Sequence, residues 1–293
     1  MLTRDLHIAQ RSWSVDDAFR YCEHLTRRHY ENFPVASLFI PKDKRKYVAS
    51  IYAFARVADD YADEPGMTPA ERIEAINAWD EQLLLCASGT ANHPVFVALA
   101  RTIERFEIPI ELLRNLLQAF RSDVVTNRHA TFDDLLRYCM YSANPVGRLV
   151  LLLFNYRSEP LMTLSDSICT ALQLANFWQD VAVDLQKNRV YLPQEDLQRF
   201  RYTEEELFRR TWNPSFRRLM EFEVERTEQI FQHGKPLLKE VGKDLRLELY
   251  LTWNGGMRIL HKIKRLDYNV LATRPTLGWS DKISVLISSL RTT

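Results

Sequence analysis

Four aspartates stand at spacings that chemistry can use. Asp59 and Asp63 are four residues apart, as are Asp180 and Asp184. Each pair lies in a stretch of helical periodicity, where positions i and i+4 share a face. Burying two neighbouring carboxylates without a partner is too costly to be incidental to packing. Hard oxygen donors of this kind suit Mg²⁺, which keeps several waters and is commonly held by one or two carboxylates together with phosphate oxygens. Two such pairs facing each other across Mg²⁺ and a diphosphate would be arranged to draw a diphosphate leaving group from an allylic carbon.

The flanks sharpen this reading. Around the first pair the chain runs Arg56-Val57-Ala58-Asp59-Asp60-Tyr61-Ala62-Asp63-Glu64. Arg56 precedes Asp59 by one turn, Tyr52 lies a turn earlier, and Asp60 with Glu64 forms a second pair rotated by about 100°. An arginine there can grip a phosphate bidentately. Taken alone, the cluster is equally well a solvated acidic helix end. The second cluster is more telling. Gln173, Asn176, Asp180 and Asp184 form one polar stripe on a helix otherwise built from Ile168, Leu172, Leu174, Ala175, Phe177 and Val181. Such a stripe lines a cavity or holds an ion more often than it faces bulk water. Lys187, Arg189 and Tyr191 follow within two turns.

The elements that must position these residues are helices. Apolar periodicity predicts helices over 15–29 and 44–63, the second stopped by Pro65-Gly66. Thr68-Pro69 opens another reaching Ser88-Gly89, one begins near Pro94, and Pro109 opens one running to about Arg128. Residues 133–154 read as helical with an interruption at Asn144-Pro145. The stretch 163–185 is apolar all round and is expected to be a central, buried helix. An irregular segment covers 192–202, Thr203-Glu204-Glu205-Glu206 is a helix start, and 214–241 and 243–268 complete the set. A short amphipathic tail spans 279–290. No repeat or linker divides the chain, so residues 1–293 are expected to form a single all-α domain.

Composition closes off other classes. With 46% apolar residues the chain is globular, and only 8 glycines argue against turn-rich β or Gly-loop folds. No G-x-G-x-x-G, P-loop, H-E-x-x-H or G-x-S-x-G is present. Cys22, Cys86, Cys139 and Cys169 lack metal or redox spacing and fit a reduced compartment. A net charge of +1 gives no reason to propose nucleic acid as a partner. The start lacks an apolar signal core, and the longest purely apolar run, Leu149 to Phe154, cannot span a membrane. A soluble, cytoplasmic protein is expected. The tail, with Ile283, Leu286, Ile287 and Leu290 beside Lys282 and Arg291, could rest on the inner membrane face; packing on the bundle is the plainer alternative. The basic run Lys42, Lys44, Arg45, Lys46 reads as a solvated helix start rather than a phosphate site. Oligomeric state is not legible.

Both acidic clusters, in this order, resemble the squalene/phytoene synthase family. The resemblance rests on Tyr52 to Glu64, on Gln173-Leu174-Ala175-Asn176-Phe177-Trp178-Gln179-Asp180-Val181-Ala182-Val183-Asp184, on Arg189-Val190-Tyr191-Leu192-Pro193, and on Tyr138-Cys139 through Val146-Gly147. It covers about His29 to Arg274. It implies a class I isoprenoid-synthase helical bundle around a central cavity, acting on an isoprenoid diphosphate with Mg²⁺. Asp59 and Asp63 would bind metal on one side and Asp180 and Asp184 opposite, with Asn176 and Gln173 in the metal and substrate region. Arg56, Tyr52 and Arg274 would contact diphosphate, Tyr138 and Tyr191 would line the channel, and His29, Asn32, Phe33 and Arg189 would join the substrate site.

Departures from the family pattern narrow the expectation. Glu31 stands where a phosphate-binding lysine is common, Gln179 where arginine is frequent, Val183 where an acid is usual, and Gly255-Gly256 where some relatives place a tyrosine. All four suggest a weaker grip on a second diphosphate. With Asn32-Phe33-Pro34-Val35-Ala36-Ser37, the chain is most similar to the hydroxysqualene synthase branch of hopanoid biosynthesis, which implies presqualene diphosphate and water as substrates. Head-to-head condensation of prenyl diphosphates to presqualene diphosphate, squalene or phytoene-type products is the alternative in the same fold. A non-catalytic helical scaffold is the alternative of another class.

Overall fold

The computed structural model describes residues 12–28, 40–63, 65–279, 281, 284–286 and 289. Every regular element among them is helical, apart from one parallel bridge between Arg128 and Val190. The helices are α1 (Val15–Arg28), α2 (Lys42–Asp63), α3 (Pro69–Ala87), α4 (Pro94–Phe106), α5 (Ile110–Val125), α6 (Phe132–Ser142), α7 (Asn144–Leu153) and α8 (Glu159–Asp184). A 3₁₀ turn (Leu185–Lys187) precedes α9 (Gln194–Arg199), α10 (Glu204–Phe208), α11 (Pro214–Gly234), α12 (Leu237–Glu240) and α13 (Lys243–Arg265). None is long and apolar enough to cross a membrane.

The chain's contacts gather into two compact units. The first holds α1 to α5 and the segment Arg148–Arg157. Its core is aromatic: Trp79 packs at 4.4 Å from Phe96, 5.0 Å from His93 and 5.9 Å from Tyr61, and donates to the Phe54 carbonyl. Ser50 and Thr102 share a buried hydrogen bond of 2.7 Å that ties α2 to α4. The α3 start is a capping box, Thr68 with Glu71, behind Pro69. Burying Ala53, Phe54, Val57, Ala58, Tyr61 and Ala62 on one side of α2 turns Tyr52, Arg56, Asp59 and Asp63 to the other.

The second unit holds Thr126–Gly147 and Ser158–Thr293. α8 packs chiefly on α11 and also on α13. Trp178 is wholly buried and donates to Thr227 at 2.8 Å, so the widest side chain of α8 is also hydrogen-bonded. Capping boxes open α6 (Thr131 with Asp134) and α10 (Thr203 with Glu206), the second as its Thr-Glu-Glu-Glu run predicts. The tail is tied to α13: Asp281 pairs with Arg258 at 3.0 Å and Lys262 at 2.5 Å, and Asn254 donates to Ser289.

Several expected boundaries move, each for a physical reason. The helix expected to reach Arg128 stops at Val125, because residues 127–130 pair along 190–195 through Val190 N–H to Asn127, Gln194 N–H to His129 and Glu195 N–H to Ala130. The central helix begins at Glu159 rather than at 163, with Pro160 in its first turn where a missing N–H costs nothing. The irregular 192–202 stretch contains α9. Pro236 divides the expected 214–241 helix into α11 and α12. The helix expected to reach Tyr268 ends at Arg265, with Asp267 and Tyr268 in the left-handed region.

Glu248 gives this unit a pH signature. It lies on the buried face of α13, one carboxylate oxygen has no partner, and burial pushes its carboxyl up to about 8 from 4.5. The folded protein therefore keeps a proton that the unfolded chain sheds. Its contribution to stability is fully present below about pH 4.5 and is lost as pH climbs toward 8. Glu248→Gln should remove that slope, matching wild type near pH 4 and exceeding it by about 3 kcal/mol near pH 7. Urea denaturation across this range tests it; parallel curves for the two proteins would contradict the assignment.

Candidate active site

On α2, Arg56 bonds Asp59 at 3.2 Å and Asp60 more closely still, so one guanidinium bridges both acidic rows. Its Nε is buried without a partner, a donor left for a further acceptor. Asp63 is exposed at the helix end. Tyr52, half-buried one turn before Arg56, has its phenol pushed up by burial and then by Asp59 and Asp60, against the opposing pull of Arg56. These residues line one face of α2 within the first unit.

In the second unit, Asp180 and Arg274 form a bidentate pair at 2.5 and 3.1 Å. Gln179 fixes the arginine's segment by donating to the Pro275 carbonyl at 2.6 Å. Thus the side chain standing where arginine is frequent is spent on positioning Arg274. Asp184 is pushed up to about 7, first by burial and then by Asp180, although Arg189, Lys187 and Arg274 oppose the shift. A half-buried carboxylate that clings to a proton beside three cations is an under-compensated anion. Asn176 is exposed and Gln173 half-buried, so the polar stripe forms the accessible side of α8; only its apolar sides are core, which corrects the expectation of a helix buried all round.

Next to Asp184 stands a column of rings. Phe177 stacks on Tyr191 at 3.8 Å and 11°, His129 lies on Tyr191 at 5.8 Å and 22°, and Tyr138 tilts against all three within 6.2 Å. Burial pushes the His129 imidazole down, keeping it neutral near pH 7. The crevice between Phe177, Asp184, Arg189 and Tyr191 holds about 10 Å³, room for one water at most, so these side chains are packed on one another.

Tyr138, Asp180, Asp184, Arg189, Tyr191 and Arg274 therefore lie in one region of the second unit. His29, Asn32 and Phe33 lie outside the described residues. Two contributors escape sequence reasoning. Arg128 clamps the loop after α8, pairing with Glu204 at 2.6 Å and donating to the Asn188 carbonyl and side chain. His129, its neighbour, completes the ring column. Their partners are some 60 residues away and follow no local period; the only local sign is two side chains with polar heads just past a helix end.

The donor set fits Mg²⁺. Each pair offers two hard carboxylates, the number commonly used beside phosphate oxygens and water, and on α8 the exposed Asn176 stands on the same face one turn before Asp180. Among the described residues no three His, Cys, Asp or Glu side chains converge on a point, so neither pair is a closed all-protein cage.

Comparison with known proteins gives the same family. A family model described as squalene/phytoene synthase matches residues 26–281. The squalene synthase HpnC from Alicyclobacillus acidocaldarius is 40% identical, with a TM-score of 0.84 over 87% of this chain and 96% of that one. A ligand-bound dehydrosqualene synthase is 25% identical, with a TM-score of 0.85 over 95% and 97% of the two chains. The 15-cis-phytoene synthase of Synechococcus elongatus is 27% identical over 96% of this chain and 95% of its own. The all-α isoprenoid-synthase fold and a family match along most of the chain lead to one conclusion: this protein is an enzyme of the squalene/phytoene synthase family.

Proposed function

We propose that the protein converts presqualene diphosphate and water to hydroxysqualene, releasing diphosphate, with Mg²⁺ as cofactor. The observation that carries this reading is the set of departures at Glu31, Gln179, Val183 and Gly255-Gly256, which weaken the grip on a second diphosphate. The 40% identity to squalene synthase HpnC, against 27% to the cyanobacterial phytoene synthase, supports squalene-type rather than phytoene-type chemistry. The engagement of Gln179 with Pro275 supports it, since that position holds the backbone instead of offering a cation to a second diphosphate.

Asp59, Asp63, Asp180 and Asp184, with Asn176, would hold Mg²⁺, which when bound offsets charge on a leaving diphosphate. Arg274 and Arg56 orient the diphosphate oxygens, Arg274 by exchanging Asp180 for phosphate and Arg56 through its unpartnered Nε. The C–O bond to diphosphate breaks, and the electron pair leaves with the phosphate. Tyr138 and Tyr191, half-buried at the rim of the ring column, would border the resulting carbocation, and a neutral His129 would add no repelling charge. Water forms the new C–O bond and its proton passes to the departing diphosphate, which balances the reaction. The substrate's oily body places the work in the cytoplasm near the inner membrane face.

A second reading, head-to-head condensation of two prenyl diphosphates, has in its favour the whole-length similarity to phytoene synthases. Incubation with Mg²⁺ and either presqualene diphosphate or farnesyl diphosphate separates the two. Hydroxysqualene from the first substrate and no product from the second is the expected result. Product from farnesyl diphosphate alone would overturn the proposal in favour of condensation, and no diphosphate release from any prenyl substrate would point to a scaffold.

A further inference from the structure

In the basic run at the start of α2, Lys42 and Arg45 are exposed as a solvated helix end would be, but Lys44 and Lys46 are not. Lys44 is half-buried: its Nζ donates to the Leu153 carbonyl at 2.8 Å and sits 5.0 Å from the Phe154 ring and 5.6 Å from Phe106. Lys46 is half-buried too, at 5.0 Å from the Phe19 ring and 5.1 Å from Tyr47. Arg105, near the end of α4, lies 5.8 Å from Phe106. The rings form one floor, Phe19 edge-on to Tyr47 at 5.4 Å and Tyr47 edge-on to Phe106 at 4.9 Å.

Above that floor run two adjoining hollows of about 380 and 400 Å³ that share Lys46, Tyr47 and Arg105. Four cations line them (Lys44, Lys46, Arg101 and Arg105) against two carboxylates, Asp43 and Glu104. Glu104 is engaged by Arg101 at 2.8 Å. Lys44, Lys46 and Arg105 rest on rings and a carbonyl, and none is in an ion pair among the described residues. The groove thus concentrates an excess of two positive charges in a chain whose whole excess is one. Lys44, Lys46 and Arg105 lie against aromatic rings, which leave their charge uncancelled. The groove lies wholly in the first unit, and Lys46 is about 20 Å along α2 from Asp59, so it is separate from the acidic row of that helix.

We propose that this groove is an anion site for a phosphate group, contributed either by an acidic phospholipid headgroup or by a free phosphate ester. Cations spaced along an aromatic floor give a phosphate charge-assisted hydrogen bonds at the rim and an apolar surface beneath.

The test compares wild type with Lys46→Gln/Arg105→Gln and with the charge-keeping Lys46→Arg/Arg105→Lys. Each is titrated with inorganic phosphate, with phosphatidylglycerol–phosphatidylcholine vesicles and with phosphatidylcholine vesicles alone. Binding to phosphate or to the acidic vesicles should weaken about thirty-fold in the glutamine variant, persist in the charge-keeping one and fall with added salt. Binding confined to acidic vesicles assigns the headgroup; binding of inorganic phosphate as well assigns the free ester. Equal binding by wild type and the glutamine variant, or no binding by wild type, overturns the proposal. Should the glutamine variant melt early, Arg105→Gln alone is expected to show about a five-fold loss, and its failure to do so counts equally against the site.

Discussion

Replacing Asp180 by alanine or asparagine should lower turnover of presqualene diphosphate by about a thousand-fold or more, while the protein stays folded. The two halves of that expectation have separate causes. In the folded chain Asp180 pairs with Arg274, and the side chains are 27% and 47% exposed. An ion pair in that setting contributes no more than about 1 kcal/mol, or a few degrees in melting temperature. For catalysis the carboxylate is one of the two aspartates on the polar stripe of α8, and it also orients the arginine assigned to the leaving group. Asparagine keeps the shape and loses the charge, so it separates electrostatics from packing. Single-turnover assays at saturating Mg²⁺ beside thermal melts provide the check. Turnover of Asp180→Asn within ten-fold of wild type would remove Asp180 from the proposed mechanism. Asp59→Ala should behave alike, since its partner Arg56 has Asp60 to fall back on.

The second large effect is on stability and comes from a missing side chain. Gly234 ends α11 where that helix meets α8. A methyl group there would lie 2.6 Å from Ile168 Cγ1 and 2.8 Å from the Leu164 carbonyl oxygen, and the second neighbour is backbone that cannot swing away. Helix propensity alone favours alanine over glycine by about 1 kcal/mol. Overpacking typically costs about 1–3 kcal/mol and more when backbone must move, so the clash decides the sign. Gly234→Ala is expected to lower stability by about 3 kcal/mol, seen as a melting point about 5–10 °C lower. An unchanged or raised melting point would mean that α8 and α11 are not so closely apposed. Because α8 carries both Asp180 and Asp184, any shift there should also reduce activity.

Much of this organisation follows from local rules. The helix starts at Thr68, Thr131 and Thr203 use a hydroxyl at the cap and a carboxylate three residues on, a pattern complete within four positions. The break at Asn144-Pro145 likewise needs only the proline ring and its missing N–H. The acidic pairs are legible for the same reason: an i, i+4 spacing is itself a statement about one helix face.

Other features exist only because distant segments meet. Residues 126–128 continue a helical pattern, yet they leave the helix as backbone N–H groups at 190, 194 and 195 take up the carbonyls of 127, 129 and 130. The role of Arg128 depends on Glu204 and Asn188, and that of Gln179 on Pro275 almost a hundred residues on. The basic run at α2 looked solvated because sequence spacing carries no record of the rings from α1 and α4 that lie against it. By itself, the order of residues determined the helical class, most helix ends and the two i, i+4 aspartate pairs proposed to hold metal. Tertiary structure alone decided which charges are compensated, since burial and long-range partners set the energy of an ion and neither is encoded in local period.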